Sequence, residues 1–319
     1  MLRALAIALA WSVAAGVWAQ PYPSKPVRIF VTIGPGAAAD VLTRLVGEKL
    51  GPRLGTPIVI ENRAGAGGNI AADAVAKSAP DGYTLLMASS STHGANFSVY
   101  PKLPFDPIKD FAPIVLVASN PNVLVVPPSL GVNSLAELLA LAKQKPGELT
   151  YASGGTGTSM HISGEVLSML GGIKLQHIPF KSTPEAVNAA LAGQVSMTFA
   201  SAPTAMSQVK AGKLKALGLT SERPLPSLPE VQPLAAQGLT GFDVSAWFGL
   251  AAPAGTPEPI IHQLNRETLA VLALPEVREK FAALGMEALG STPAEFGAFI
   301  GSEIERLGKV VRASGARVN

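Results

Sequence analysis

From Pro26 to Ala88 short apolar runs alternate with segments of helical period, and this order restricts the chain to an α/β fold. Val27–Ile33 reads as a strand, Asp40–Leu54 as a helix, Ile58–Glu61 as a strand, Gly68–Lys77 as a helix and Thr84–Ala88 as a strand. The runs are continuously apolar, the pattern of strands covered on both faces, so a largely parallel sheet between helical layers is expected.

The unit recurs further along. Ser134–Gln144 reads as a helix capped by Asn133 or Ser134, followed by a strand at Thr150–Ala152 and a helix at Thr158–Leu170. Extended His177–Pro179, helical Pro184–Leu191, a strand at Val195–Phe199, a helix at Thr204–Ala211 and a strand at Ala216–Thr220 complete it. Between the halves, Ile114–Ala118 and Val123–Val126 read as two strands parted by Ser119-Asn-Pro-Asn122, where the chain can cross from one unit to the other. A proline-rich stretch from Arg223 to Pro233 leads into extended Phe242–Ala252, and helices at Pro257–Ala273, Pro275–Leu284 and Pro293–Ser314 close the sequence.

The length, 319 residues, suits two domains. Hydrophobic residues at 48% against 15% charged exclude a disordered chain, and 32 Gly with 27 Pro predict many tight turns. Cysteine is absent, which removes disulfides, thiolate metal sites and thiol nucleophiles together. His93, His161, His177 and His262 have no metal-ligand spacing, so neither a metal nor another cofactor is expected.

Residues 1–19 carry Arg3, an apolar run from Ala4 to Val17, and small residues at Val17 and Ala19 before Gln20, the three-part pattern of an export signal cleaved after Ala19. The run is too short to span a membrane, and Pro21, Pro23 and Pro26 follow it. Losing Arg3 moves Lys plus Arg from 25 to 24 against 22 acidic residues, a formal charge of +2 without a basic cluster, so nucleic acid is not an expected partner.

Two glycine-rich turns join a strand to a helix. The first is Ile33-Gly-Pro-Gly-Ala-Ala-Ala-Asp40; the second is Ala152-Ser-Gly-Gly-Thr-Gly-Thr-Ser159. Helix starts leave N–H groups unpaired and add partial positive charge, so small residues there let an anion reach the backbone. Plain tight turns are the other reading. Gly34–Ala39 also fits a G-x-G-x-x-A dinucleotide fingerprint, with Glu61 near the ribose-binding position, against a strand-end Glu61 paired with Lys or Arg. Asp40 and Arg44 share a helix face and can pair, or Asp40 can orient the loop or meet a ligand amine. The loop Ser89–Asn96 leaves the carboxyl end of a strand, where hydroxyls serve either as ligand donors or as caps.

An enzyme is not expected. No G-x-S-x-G elbow is present, Ser207-Gln-Val-Lys210 lacks its companion motifs and reads as helix surface, and no carboxylate pair is placed for acid–base work.

Several strings resemble the Bug-type substrate-binding proteins of tripartite tricarboxylate transporters. They are Tyr22-Pro-Ser-Lys-Pro-Val-Arg-Ile29, Val59-Ile-Glu-Asn-Arg-Ala-Gly-Ala-Gly-Gly-Asn-Ile70, Pro80-Asp-Gly-Tyr-Thr-Leu85 and Ser91-Thr-His93. Pro104-Phe-Asp-Pro-Ile-Lys-Asp-Phe-Ala-Pro-Ile114, Gly193-Gln-Val195 and Trp247-Phe-Gly-Leu-Ala-Ala-Pro-Ala-Gly-Thr-Pro257 continue the match in order along the chain. The resemblance implies an exported, periplasmic, monomeric protein with a two-domain type II periplasmic-binding-protein fold. One domain would be residues 20–119 plus 244–319, the other 120–243, with the ligand in the cleft between them. It implies a small carboxylate ligand held by backbone N–H groups, with transporter subunits or a sensor as partner. The ligand loops map onto Gly36, Ala37, Ala38 and Asp40, and onto Gly154, Gly155, Thr156, Thr158 and Ser159. Ser90, Thr92, His93, Phe180, Lys181, Ser201 and Trp247 fall where other cleft contacts are implied. The chain departs from the family pattern at Ile33, usually aromatic, and at Ala37, usually glycine. Ser182-Thr183 stands for Gly-Gly and Ser196 for Asp, so ligand identity is the part left open.

Overall fold

The computed structural model describes residues 22–225 and 228–314, apart from the side chains of residues 201, 203, 204 and 314; the expected leader lies outside them. In the first lobe, β1 (Val27–Val31) pairs in parallel with β2 (Ile58–Asn62) and β3 (Thr84–Ser89). The connecting helices α1 (Ala38–Leu54) and α2 (Asn69–Ala76) cover opposite faces. Ile29 and Val31 meet Leu42, Val46 and Leu50 of α1 on one face, while Phe30 and Leu86 meet Ala71 and Val75 of α2 on the other. Burial on both faces is why β1 and β3 are apolar throughout except at Arg28 and at the strand ends, each buried leucine contributing about 2 kcal/mol. After β3 a π-helical turn (Ser91–Ala95) runs into the short α3 (Asn96–Val99).

The chain then enters β4 (Phe111–Val126), a single strand of 16 residues where two were expected. Ser119, Asn120 and Pro121 stay extended because they pair with Trp247, Ala246 and Ser245, and Asn122 continues by pairing with Ser201. The second lobe follows. Helix α4 (Leu135–Gln144) starts at Ser134, whose Oγ accepts the Glu137 N–H at 3.2 Å. Then come β5 (Thr150–Ser153), α5 (Ser159–Gly171), β6 (Gln176–Pro179), α6 (Thr183–Leu191), β7 (Met197–Ser201), α7 (Ala202–Lys210) and β8 (Lys215–Leu219). The chain returns through β9 (Ser245–Pro253), α8 (Glu258–Leu272), α9 (Pro275–Ala283), β10 (Glu287–Ala288) and α10 (Pro293–Ser314).

The sheet order is β2-β1-β3-β9-β4-β7-β5-β6, with β8 and β10 also pairing β4. It is mixed, which corrects the largely parallel expectation. The outer trios are parallel because helices carry the chain back between strands, whereas every pairing of β4 and β9 is antiparallel. These two strands bring the chain out of the first lobe and back into it, so they run in opposite directions through the junction. Helix α10 sits across the junction: Phe296 and Ile300 pack on Trp247, while Leu307 and Val311 join the second lobe's core with Leu124 and Phe199.

Candidate functional site

A cavity of about 460 Å³ lies between the lobes. Its floor is made where the chain crosses. Side chains two apart on a strand share a face, so Asn120 and Asn122 of β4 line the cavity together, as do Ala246 and Phe248 of β9.

Helix α1 opens on one side. Its cap residue, Ala37, has no side chain able to accept a hydrogen bond, and among the described residues the N–H groups of Ala38, Ala39 and Asp40 meet no acceptor. Ala37, Ala38 and Ala39 all line the cavity. The loop is held by Asp40: Oδ2 accepts the Gly36 N–H at 2.9 Å and Oδ1 accepts Arg44 Nε at 3.0 Å. Arg44 also donates to Asn62 Oδ1, and Asn62 Nδ2 to the Ile33 carbonyl. Burial pushes the Asp40 carboxyl up, but Arg44, the Gly36 N–H and Asn62 outweigh it and hold the group below the usual carboxylate range.

Helix α5 opens on the other side. Thr158 caps it by accepting the His161 N–H, and the N–H groups of Ser159, Met160 and Thr156 are without an acceptor among the described residues. Gly154, Gly155, Thr156, Thr158 and Ser159 line the cavity, with Phe180 and Lys181 beside them. Among the described residues Lys181 and Glu185 are the only charged side chains in the lining, and Glu185 Oε2 accepts the Lys181 backbone N–H at 3.2 Å.

The lobes touch at both rims of the cavity. Tyr100 Oη donates to the Thr156 carbonyl at 3.3 Å. Gly67, at φ +63°, brings its backbone so close that a Cβ there would stand 2.4 Å from the same carbonyl; a Cβ on Gly157 would meet Asn96 Oδ1 at 2.0 Å. On the opposite rim Gly34 stacks on Ser182 and Lys181.

Five expected residues stand off the cavity lining, for reasons that are visible. Gly36 and Asp40 spend their groups on each other, which is the loop-orienting role. Thr92 and His93 point inward because the chain coils into the π-helical turn after β3. Thr92 Oγ1 accepts the Ser89 N–H at 3.2 Å, and His93 is 0% exposed, edge-on to Phe111 at 4.6 Å. Burial drives His93 down to about 3, so it is neutral. Trp247 alternates with Ala246 and Phe248 and so faces away, its Nε1 donating to Glu303 Oε2 at 2.9 Å. The Ser201 side chain lies outside the described residues. Of the expected loop after β3, Ser90 does line the cavity, joined by Ser89 and Ser91. Reading by residue type missed Asn120, Asn122, Tyr100 and the Gly65–Gly68 turn. The run Ala64-Gly-Ala-Gly-Gly68 was the available signal for the last of these.

Glu61, the residue a dinucleotide site needs, is held by Arg28 at 3.6 Å and Arg63 at 3.2 Å and does not line the cavity. No group of three or more His, Asp or Glu able to hold a metal occurs among the described residues, nor any helix long and apolar enough to cross a membrane.

A two-lobed α/β molecule with one cleft bordered by two open helix starts is a solute-binding receptor in form. Residues 42–316 match the TctC family, the tripartite tricarboxylate transporter family receptor, and the chain belongs to that family. It is 38% identical to the protein BugT of Bordetella pertussis, covering 96% of this chain and 94% of that one. Among solved structures it is similar to R. palustris Rpa4515 with adipate, at a TM-score of 0.90 and 32% identity over 93% of this chain and 100% of that one. It is also similar to MatC from Rhodopseudomonas palustris with bound malate, at a TM-score of 0.87 and 33% identity over 91% of this chain and 100% of that one.

Proposed function

We propose that this protein is an exported, non-catalytic receptor that encloses a small dicarboxylate between its lobes and passes it to a tripartite tricarboxylate-type membrane transporter. The observation that carries the reading is the pair of helix starts, one in each lobe, whose N–H groups at Ala38 and Ala39 and at Ser159 and Met160 lack acceptors among the described residues and border the same cavity. Each offers partial positive charge to a carboxylate, and a lining with only Lys181 as a cation leaves the recognition to backbone amides and hydroxyls. The adipate and malate held by the two similar proteins support the ligand class. We place the division between the lobes at residues 119/120 and 243/244, and the leader's end at Ala19. The receptor acts as a monomer.

A thermal-shift screen of mono-, di- and tricarboxylates tests the reading. A ligand at 100 times its Kd adds about 2.7 kcal/mol, a rise on the order of 5 °C for a chain of this size. Stabilisation by NAD or nucleotides, with no response to any carboxylate, would overturn it.

Closure is the motion this reading requires, and the rim contacts are what it makes and breaks. Tyr100→Phe removes the hydrogen bond to Thr156 and keeps the ring. Affinity is expected to fall about fivefold, equivalent to about 1 kcal/mol, measured by calorimetry on a ligand from the screen.

A further inference from the structure

Beneath the second glycine turn lies a stack that the ligand site does not use directly. His161 of α5 and His177 of β6 are stacked with ring centroids 4.1 Å apart, and Tyr151 of β5 lies 4.9 Å from His177. Each imidazole reaches the turn. The Gly157 N–H donates to His161 Nδ1 at 3.1 Å, and His177 Nε2 is 2.6 Å from Ser153 Oγ, which accepts the Gly155 N–H at 3.1 Å. Two of the turn's amides are thus tied inward, Gly157 by His161 directly and Gly155 by Ser153, which His177 holds, while the Thr156 amide between them is left without an acceptor among the described residues.

We propose that His161 and His177 are positioning residues for the second glycine turn, holding the Gly155 and Gly157 amides inward so that Thr156, Ser159 and Met160 present theirs to the ligand. The inference rests on the reading of that turn as a carboxylate site.

The geometry fixes the protonation state that this role needs. An N–H donor at Nδ1 demands a lone pair there, so His161 carries its proton on Nε2. That nitrogen faces Glu165 Oε1 at 3.9 Å, and the same oxygen accepts the Tyr151 hydroxyl at 2.6 Å. The titratable groups packed on the pair are therefore Tyr151 from β5, Glu165 from α5 and each histidine on the other; among the described residues no lysine or arginine pairs with Glu165. Burial lowers His161 to about 4; burial, then the neighbouring His161, lowers His177 to about 3. A proton on His161 Nδ1 would displace the Gly157 N–H and place a cation against the His177 ring, so acid undoes the turn's conformation.

The test has two arms on the whole protein. In the first, the Gly155 and Gly157 amide resonances and the imidazole nitrogens are followed without ligand between pH 7 and 4. His161 should remain the Nε2–H tautomer down to pH 5, and the Gly157 amide should move only along the His161 titration. A His161 midpoint near 6.5, or a Gly157 amide indifferent to it, overturns the proposal.

In the second arm, malate and adipate are titrated into wild type, His161→Ala and His161→Gln between pH 7 and 4.5. Alanine should weaken binding about fivefold to tenfold at pH 7, the factor for losing one hydrogen bond of ordinary net strength. Glutamine, whose Oε1 can take the Gly157 N–H without titrating, should bind within about twofold of wild type and report only the ligand's own protonation as pH falls. Wild-type affinity in the alanine variant with an unmoved Gly157 amide refutes the positioning role. If wild type binds neither acid, the wider carboxylate screen decides the ligand reading on its own, and the amide titration still decides the role of the histidines.

Discussion

A Gly155→Asp variant is expected to lose at least a hundredfold in carboxylate affinity while Gly155→Ala loses far less. Gly155 lines the cavity, and a Cβ added there meets nothing nearer than the Phe180 carbonyl at 3.6 Å, so the first atom of either side chain has room. Both variants suffer from the backbone, because φ of +127° is a conformation only glycine adopts without strain, at a cost of about 1–3 kcal/mol. That shared cost makes alanine the proper control. What aspartate adds is a negative charge a few ångströms from the carboxylate the turn would hold. At an effective dielectric constant near 20 two such charges at about 4 Å repel by about 4 kcal/mol, and screening by water at the cavity mouth still leaves more than the ~2.7 kcal/mol that a hundredfold represents. Calorimetry on both variants, with circular dichroism to show that each is folded, makes the comparison. Equal losses for alanine and aspartate would remove the second turn from the anion site.

Unfolding stability should fall by about 5 kcal/mol between pH 7 and pH 5, beginning near pH 6.5. Burial lowers His93 to about 3, His161 to about 4 and His177 to about 3. In the unfolded chain each titrates near 6.5. Between those values the unfolded state binds three more protons than the native one, so stability is complete above about pH 6.5 and is lost as pH drops toward the folded values. Each histidine contributes about 1.36 kcal/mol per pH unit in that window, or about 2 kcal/mol by pH 5. Glu165 and Asp243, both held above the ordinary carboxylate range by burial, work in the opposite sense and offset part of the loss. Urea unfolding at pH 7, 6 and 5 measures the slope. A flat profile across that range would mean that these imidazoles take up protons as readily in the native state as in the unfolded chain, which for His161 the Gly157 N–H on Nδ1 opposes.

The α/β class, the position of nearly every helix and the two helix starts were legible because each depends on local signals: apolar period, caps and glycine turns. The last helix, Pro293–Ser314, matches the expectation at both ends. The direction of the central strands was not legible. Val27–Val31 and Ser245–Pro253 are both nearly continuous apolar runs, yet one sits in a parallel trio and the other runs antiparallel to both neighbours, since direction follows from the path between lobes. The site divides in the same way. Ala38, Gly155 and Thr156 line the cavity as expected because a helix start and its glycine turn can be read from sequence. Trp247 and His93 were misplaced because which face a strand residue takes, and how a turn coils, depend on neighbours far along the chain. Asn120 was passed over for the opposite reason: read as part of a connection, it is a strand residue on the cavity floor.

The place of β9 in the sheet also governs the order in which the molecule can be assembled. It lies between β3 and β4, yet residues 245–253 leave the ribosome after every strand of the second lobe. Until then the facing edges of β3 and β4 have unpaired N–H and C=O groups, a condition that favours association with other chains over folding. The sheet of the second lobe needs only β4 and later strands and can pair while the first is still waiting, although its core closes only when Leu307 and Val311 of α10 arrive. The central sheet of the lobe that begins first is closed only after the strands of the other, and the cleft, whose floor includes Ala246 and Phe248, comes into being only when β9 is inserted. For an exported receptor, as proposed above, this arrangement keeps the first lobe's sheet open until nearly all of the chain has been delivered.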